Sequence, residues 1–65
     1  MNEELRALLA KPTASIHDAG RICFGLSRNG SYAAAKKGDI PTIKVGGGYF
    51  VPTAALRKIL GIEVA

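Results

Sequence analysis

The residues whose side chains are best suited to bind a ligand lie between Ser27 and Gly38. The stretch predicts one short helix, because a serine can cap the free N–H groups of the first turn and a glycine can close the last turn. One face of this helix carries a guanidinium, a carboxamide, a phenol and two ammonium groups. These belong to Arg28, Asn29, Tyr32, Lys36 and Lys37. Such groups suit phosphate oxygens and base edges, so the face predicts nucleic-acid contact, with a solvated basic face as the alternative.

The opposite face of the same helix carries only small side chains, so another helix must approach it closely. The small residues are Ser31, Ala34 and Ala35. The preceding segment predicts such a helix, which Ser15 opens in the manner of a capping box and which runs to about Phe24. In this preceding helix Ala19 and Gly20 are small, so the small face of the following helix can pack closely against them. Joined through Gly25 and Leu26, the two predict a helix-turn-helix.

After Gly38 the hydrophobic pattern changes from helical spacing to alternation. Residues 42–45 and 49–51 predict two strands, and glycines 46–48 predict the turn between them. Four side chains are expected to face the helices: Ile43, Val45, Tyr49 and Val51. Lys44 and Phe50 are expected together on the other side. For Phe50 three outcomes stay open: burial by twist of the hairpin, contact with a second protomer, or contact with DNA.

Two further helices are predicted at the ends of the chain. Residues 2–11 begin with a capping asparagine and carry a leucine stripe, but they are too few to be stable alone, so they must dock within the chain or on a second copy. Residues 53–60 form the last helix. Its inward side chains are expected to be Leu56, Ile59 and Leu60, and its outward ones Arg57 and Lys58. The predicted organisation is a short N-terminal helix at 1–12, a DNA-binding domain at 13–61 and a tail at 62–65.

Composition limits the classes of function. Nine Lys and Arg against five Asp and Glu give the 65-residue chain a net charge of +4, which favours a polyanionic partner. The single cysteine, Cys23, excludes an internal disulfide, fits a reducing cytoplasm and is expected to be a small core residue. No apolar run approaches the ~20 residues of a membrane span.

Catalysis and metal binding have no sequence signal. His17, the only histidine, is expected at the surface in a first helical turn, and no Cys, Asp and Glu cluster has metal-ligand spacing. The glycines at 46–48 lack the Lys-Ser/Thr or third spaced glycine of a phosphate loop. We therefore expect no enzymatic activity, no metal and no cofactor.

Several short motifs in linked order resemble the excisionase group, small DNA-binding domains related to the MerR-type winged helix. The motifs are Gly25-Leu-Ser-Arg28, Tyr32, Lys37-Gly-Asp-Ile-Pro41, Ile43-Lys-Val-Gly46 and Val51-Pro-Thr-Ala-Ala-Leu56, and the resemblance covers roughly residues 13–61. It implies a mainly α fold with a two-stranded β wing, a winged helix-turn-helix. Residues 27–37 would enter the major groove, and residues 42–51 would lie along the backbone or minor groove.

The resemblance also implies which residues contact DNA. Those in the recognition helix would be Ser27, Arg28, Asn29, Tyr32, Lys36 and Lys37, and those in the wing Lys44, Gly47 and Gly48. The chain departs from the family at the wing tip, where glycines replace arginines, and at Phe50, where a charged residue is common. It also has Ala34 and Ala35 at positions that are commonly large, and one extra residue before Gly25.

The resulting hypothesis is sequence-selective binding of double-stranded DNA by a cytoplasmic, nucleoid-associated protein. The excisionase resemblance implies a recombination directionality factor, with an integrase as a possible partner. A domain this small buries little DNA surface, so we expect self-association or cooperative binding on DNA. A small transcription regulator is the alternative within the family, and a winged-helix protein-interaction module is the alternative from another class.

Overall fold

Residues 2–62, which the computed structural model describes, form four helices and three short strands. The helices are α1 (Glu3–Leu9), α2 (Ile16–Phe24), α3 (Arg28–Lys37) and α4 (Thr53–Leu60), and the strands are β1 (Thr13–Ala14), β2 (Ile43–Val45) and β3 (Gly48–Pro52). The strands make one antiparallel sheet in the order β1-β3-β2. The mainly helical class is confirmed. No helix within 2–62 is long and apolar enough to cross a membrane.

Local capping explains where the first three helices begin. The side chain of Asn2 accepts a hydrogen bond from the Leu5 N–H at 2.7 Å, and the Ser15 hydroxyl accepts one from the Asp18 N–H at 3.0 Å. Ser27 accepts from the N–H of the third residue beyond it, also at 3.0 Å. Each bond satisfies a donor that lacks an intrahelical partner. The three predicted N-caps are therefore confirmed.

The closest approach in the fold joins α2 to α3. Ser31 is fully buried, and its hydroxyl donates to the Ser27 carbonyl at 2.8 Å. A Cβ placed on Gly20 would lie 2.0 Å from the Ser31 Oγ, far inside van der Waals contact. Only a glycine lets the two backbones come this close. The predicted pairing of small helix faces is confirmed, since Ala34 and Ala35 also pack against the core.

A third strand corrects the prediction of a two-stranded wing. Thr13 pairs with Pro52 and Ala14 with Val51, so β1 extends the hairpin into a three-stranded sheet. Two residues are too few to show alternation, and the pairing joins segments far apart in the chain. Next to this pairing, the Thr53 side chain donates to backbone carbonyls of the α1–α2 connection. The base of the hairpin is thus tied to the connection between the first two helices.

The hairpin register also differs from the prediction. The turn consists of Gly46 and Gly47 alone, both with positive φ (59° and 86°), and Gly48 already belongs to β3. A two-residue turn with two positive φ values suits the twist of the flanking strands. The predicted turn held three glycines, and this one-residue difference exchanges the faces of one strand relative to the other.

The observed pairs define the two faces of the hairpin. Ile43 lies opposite Phe50, and Lys44 lies opposite Tyr49. Lys44 and Tyr49 therefore share the face of buried Val51, while Phe50 shares the outer face with Ile43 and Val45. The predicted grouping of Lys44 with Phe50 is wrong. Tyr49 lies on the side of the helices, as expected, but it is 58% exposed rather than buried.

The hydrophobic core shows how the terminal helices dock. Leu8 and Leu9 of α1 are buried in the same cluster as Leu56 of α4, so docking of α1 within the chain is confirmed. Two predictions for α4 are wrong. Ile59 is 50% exposed rather than inward, and Arg57 donates to the Leu9 carbonyl at the end of α1 rather than pointing outward. The predicted tail lies outside the described residues from 63 onward.

We predict that Gly20→Ala destabilises the fold by about 1–3 kcal/mol, because the new methyl group overlaps Ser31 and must displace α3. This outcome opposes the intrinsic preference of helices for alanine over glycine. Chemical denaturation measures the change. The double variant Gly20→Ala with Ser31→Gly moves the side-chain volume from one helix to the other and should recover part of the loss. Equal stability of Gly20→Ala and wild type would contradict the close contact.

Candidate nucleic-acid interface

The exposed face of α3 holds most of the polar side chains singled out in the sequence. Arg28 and Asn29 lie in its first turn, Tyr32 is 46% exposed in the middle, and Lys36 and Lys37 are exposed in the last turn. The helix is held from the opposite side by its small residues, so none of these groups is used in packing against α2. A guanidinium, a carboxamide, a phenol and two ammonium groups are thus presented on one rigid element.

Ser27 is placed differently from these side chains. Its hydroxyl accepts the capping bond from the Gly30 N–H, and its carbonyl accepts from Ser31. The residue is exposed, but its side chain is engaged in starting α3. Ser27 therefore positions the helix, and its hydroxyl can still donate its own proton to a ligand.

The salt bridges among residues 2–62 engage only some of the basic side chains. Glu4 of α1 and Asp18 of α2 both form ion pairs with Arg21. On the α3 side, Lys37 lies 3.6 Å from Asp39, with both side chains largely exposed. Within 2–62, no salt bridge engages Arg28, Lys36 or Lys44. These three cations are therefore available to an anionic ligand, whereas Lys37 is partly compensated.

The hairpin adds a second set of groups next to α3. A cleft of about 280 Å³ separates α3 from the hairpin and the start of α2. Its lining residues are Ile16, Tyr32, Ala35, Lys36, Thr42 and Tyr49. On the hairpin face that carries Tyr49, the Lys44 Nζ lies 5.8 Å from the centroid of the Tyr49 ring, within the range of a cation–π contact. The structure thereby brings Tyr32 and Lys36 together with Tyr49, and Lys44 with Tyr49.

Tyr49 is the residue of this surface that sequence reasoning missed. The available signal was the Gly-Gly dipeptide, which favours a two-residue hairpin turn over a three-residue one. With the turn limited to Gly46 and Gly47, alternation places Tyr49 beside Lys44. The hairpin therefore contributes an aromatic ring and a cation to the side that faces α3.

The remaining predicted wing residues are divided between the tip and the outer face. Gly47 is exposed in the turn, whereas Gly48 is half-buried in β3. The ring of Phe50 approaches within 3.5 Å of the position that a Cβ on Gly48 would take. Phe50 remains 39% exposed, beside Ile43 at 44% and Val45 at 57%. The outer face of the hairpin is an apolar strip, separate from the Lys44 and Tyr49 face.

A second cleft, of about 400 Å³, lies along the other side of α3. Phe24, Leu26 and Ile40 contribute its apolar surface, and Lys37 and Asp39 lie among its lining residues. The helix α3 is therefore flanked by an apolar cleft on one side and by the cleft with two tyrosines on the other.

The described residues also bear on metal binding and on the reactivity of the single cysteine. No group of three or more His, Cys, Asp and Glu residues within 2–62 could hold a metal ion. Cys23 is half-buried against the core, and burial raises the pKa of its thiol. Comparison of the chain with protein-family models, with curated protein sequences and with solved structures finds no match.

We predict that Cys23 reacts slowly with iodoacetamide in the native protein. The thiolate is the reactive form, and a raised pKa lowers its fraction at any pH below that pKa. The alkylation rate of Cys23 should keep rising at pH values at which the alkylation rate of a free cysteine has already reached its plateau. Alkylation followed by mass spectrometry in native buffer and in denaturant measures the difference, and equal rates in the two would contradict burial of the thiol.

Proposed function

We propose that this protein binds double-stranded DNA as a winged helix-turn-helix, with α3 in the major groove and the β2–β3 hairpin as the wing. The observation that carries the proposal is the outward face of α3. It presents side chains of the types that can read bases and bind phosphates, on a helix whose other face is occupied by packing. An α-helix fits the major groove, where side chains reach base edges.

The available groups divide into positioning and reading contacts. Lysine, arginine and tyrosine side chains bind phosphate oxygens without reading sequence. Lys36, Lys44 and Tyr32 serve this role in our proposal, and Lys37 contributes less because Asp39 lies beside it. Arg28 and Asn29, in the first turn of α3, read bases, since arginine suits guanine and asparagine suits adenine.

Self-association on DNA is part of the proposal. A single domain of this size covers little DNA, which limits affinity and selectivity together. The apolar strip of Ile43, Val45 and Phe50 supports a protein contact beside the DNA-binding surface, because contiguous exposed apolar side chains are typical of protein interfaces. This combination suits an excisionase-like directionality factor, which acts on DNA together with an integrase. A transcription regulator built on the same domain is the second candidate.

We expect fluorescence anisotropy to detect binding to random duplexes, with a log–log salt slope of about −4 if four to five phosphates are neutralised. Lys36→Ala should reduce the magnitude of this slope by about 1, because one phosphate contact is lost. The matched control is Lys58→Ala, which removes an exposed lysine of α4 and should leave the slope unchanged. Absence of binding even at low salt would refute the proposed function, and tighter binding per site on longer duplexes would support cooperativity.

We predict that Asn29→Ala changes the preferred DNA sequence while leaving affinity for random DNA nearly intact. The carboxamide is neutral and offers a bidentate contact to adenine, so its loss removes reading rather than charge. Selection of bound sites from a random library, carried out for both proteins, measures the change. Identical preferences would exclude Asn29 as a base-reading residue. A protein-interaction module that uses only the charge of this face would select no site with either protein.

A further inference from the structure

We infer that the cleft between α3 and the hairpin binds one deoxyribose-phosphate unit of a DNA strand. The inference rests on the proposed function and deepens it, because it assigns the separate phosphate contacts to one cleft and adds Tyr49 to them. Tyr32 and Tyr49 line the cleft from its two sides, the first on α3 and the second on β3. Lys36 belongs to the lining, and Lys44 lies against Tyr49.

The lining of the cleft combines apolar and polar groups in a way that suits a sugar joined to a phosphate. The side chains of Ile16 and Ala35 are apolar, and Ile16 is buried. Such a surface accepts the C–H groups of a deoxyribose. The phenol groups and the Lys36 ammonium supply hydrogen-bond donors for phosphate oxygens. A free phosphate ion would use the donors and leave the apolar surface uncovered.

The exposed aromatic rings support a ligand at this position. Tyr32 is 46% exposed and Tyr49 is 58% exposed, although both lie beside apolar neighbours. Tyrosine is common at binding surfaces because it offers apolar area together with a hydroxyl, with few rotatable bonds. Two such rings on the borders of one cleft provide two walls that a bound sugar can contact.

Lys44 contacts the tyrosine ring that forms the hairpin side of the cleft. It lies directly across the strand pair from Tyr49, and its ammonium group is 5.8 Å from the ring centroid. The cation–π contact restrains the ring and leaves the ammonium donors free to meet a phosphate. No carboxylate within 2–62 forms a salt bridge with Lys44, so its charge is available to the ligand.

The place of the cleft in the fold suits a DNA strand in the proposed orientation. With α3 in the major groove and the hairpin as the wing, the sugar–phosphate backbone that borders the groove would run along the cleft between them. A contact there reads no sequence, but it fixes the depth and register of the helix. The cleft thereby acts as a positioning site for the reading residues in the first turn of α3.

The first test removes the hydroxyl group of Tyr49 on the hairpin. Tyr49→Phe removes only the hydroxyl and should weaken binding to a duplex that holds one protein copy by about tenfold, because a hydrogen bond to a charged group is lost. The factor should be the same for every duplex sequence. Ile59→Ala, at an exposed position of α4 outside the cleft, is the control and should bind the same duplex as wild type does.

The outcomes separate this inference from the proposed function. If wild type binds DNA and Tyr49→Phe and Tyr49→Ala bind equally well, the cleft site is overturned while the proposed function stands. A loss that depends on duplex sequence would replace the sugar-phosphate contact with a base contact, and so would also overturn the inference. If wild type binds no DNA, both fail. Because Tyr49 is exposed, its variants should unfold at the temperature of wild type, which circular dichroism checks.

The second test locates the phosphate. Duplexes with a single uncharged methylphosphonate linkage, moved step by step along the selected site, should weaken wild-type binding at discrete linkages. One of these losses should disappear in Tyr49→Ala, because the variant has already lost that contact. If each methylphosphonate linkage weakens the binding of wild type and of Tyr49→Ala by the same factor, the inference is overturned.

Discussion

The contact on which the rest of the structure depends is the approach of α2 to α3 at Gly20 and Ser31. The two backbones come so close that a single methyl group on Gly20 would overlap the buried serine. Ser31 remains compatible with burial because its hydroxyl donates back to the carbonyl of Ser27. Since the packing of α3 needs only small side chains, its larger polar side chains are all left for the solvent face.

A second constraint acts at the base of the hairpin. The pairing of β1 with β3, together with the hydrogen bonds of Thr53 to the preceding connection, fixes one end of the hairpin to the helices. A two-stranded hairpin alone is marginally stable in water, so the added strand β1 and the buried Val51 of β3 supply the support. The rest of the hairpin is then free to present one face with Lys44 and Tyr49 and another with Phe50.

Within residues 2–62, the carboxylates and the unpaired lysines lie on different elements of the fold. Carboxylates on α1 and α2 are used in ion pairs with Arg21, while Lys36 and Lys44 lie near the cleft of two tyrosines without a carboxylate partner among the described residues. An anionic polymer would meet cations on α3 and the hairpin together. The apolar strip on the outer face of the hairpin stays apart from them, so the proposed contacts with DNA and with protein need not compete.

Sequence alone determined the helices and the two faces of α3. The side-chain caps of α1, α2 and α3, the closing glycines of α2, α3 and α4, and the placement of Ser31 and Tyr32 on different faces act within one or two turns, where local hydrogen bonding and helical geometry decide. Tertiary structure decided β1, the inward bond of Arg57 and the exposure of Tyr49. A two-residue strand and an arginine that bonds a distant carbonyl depend on segments about forty or more residues away. Tyr49 depended on whether the turn held two glycines or three, and the pairing of whole strands settles that choice, because one residue of register exchanges their faces.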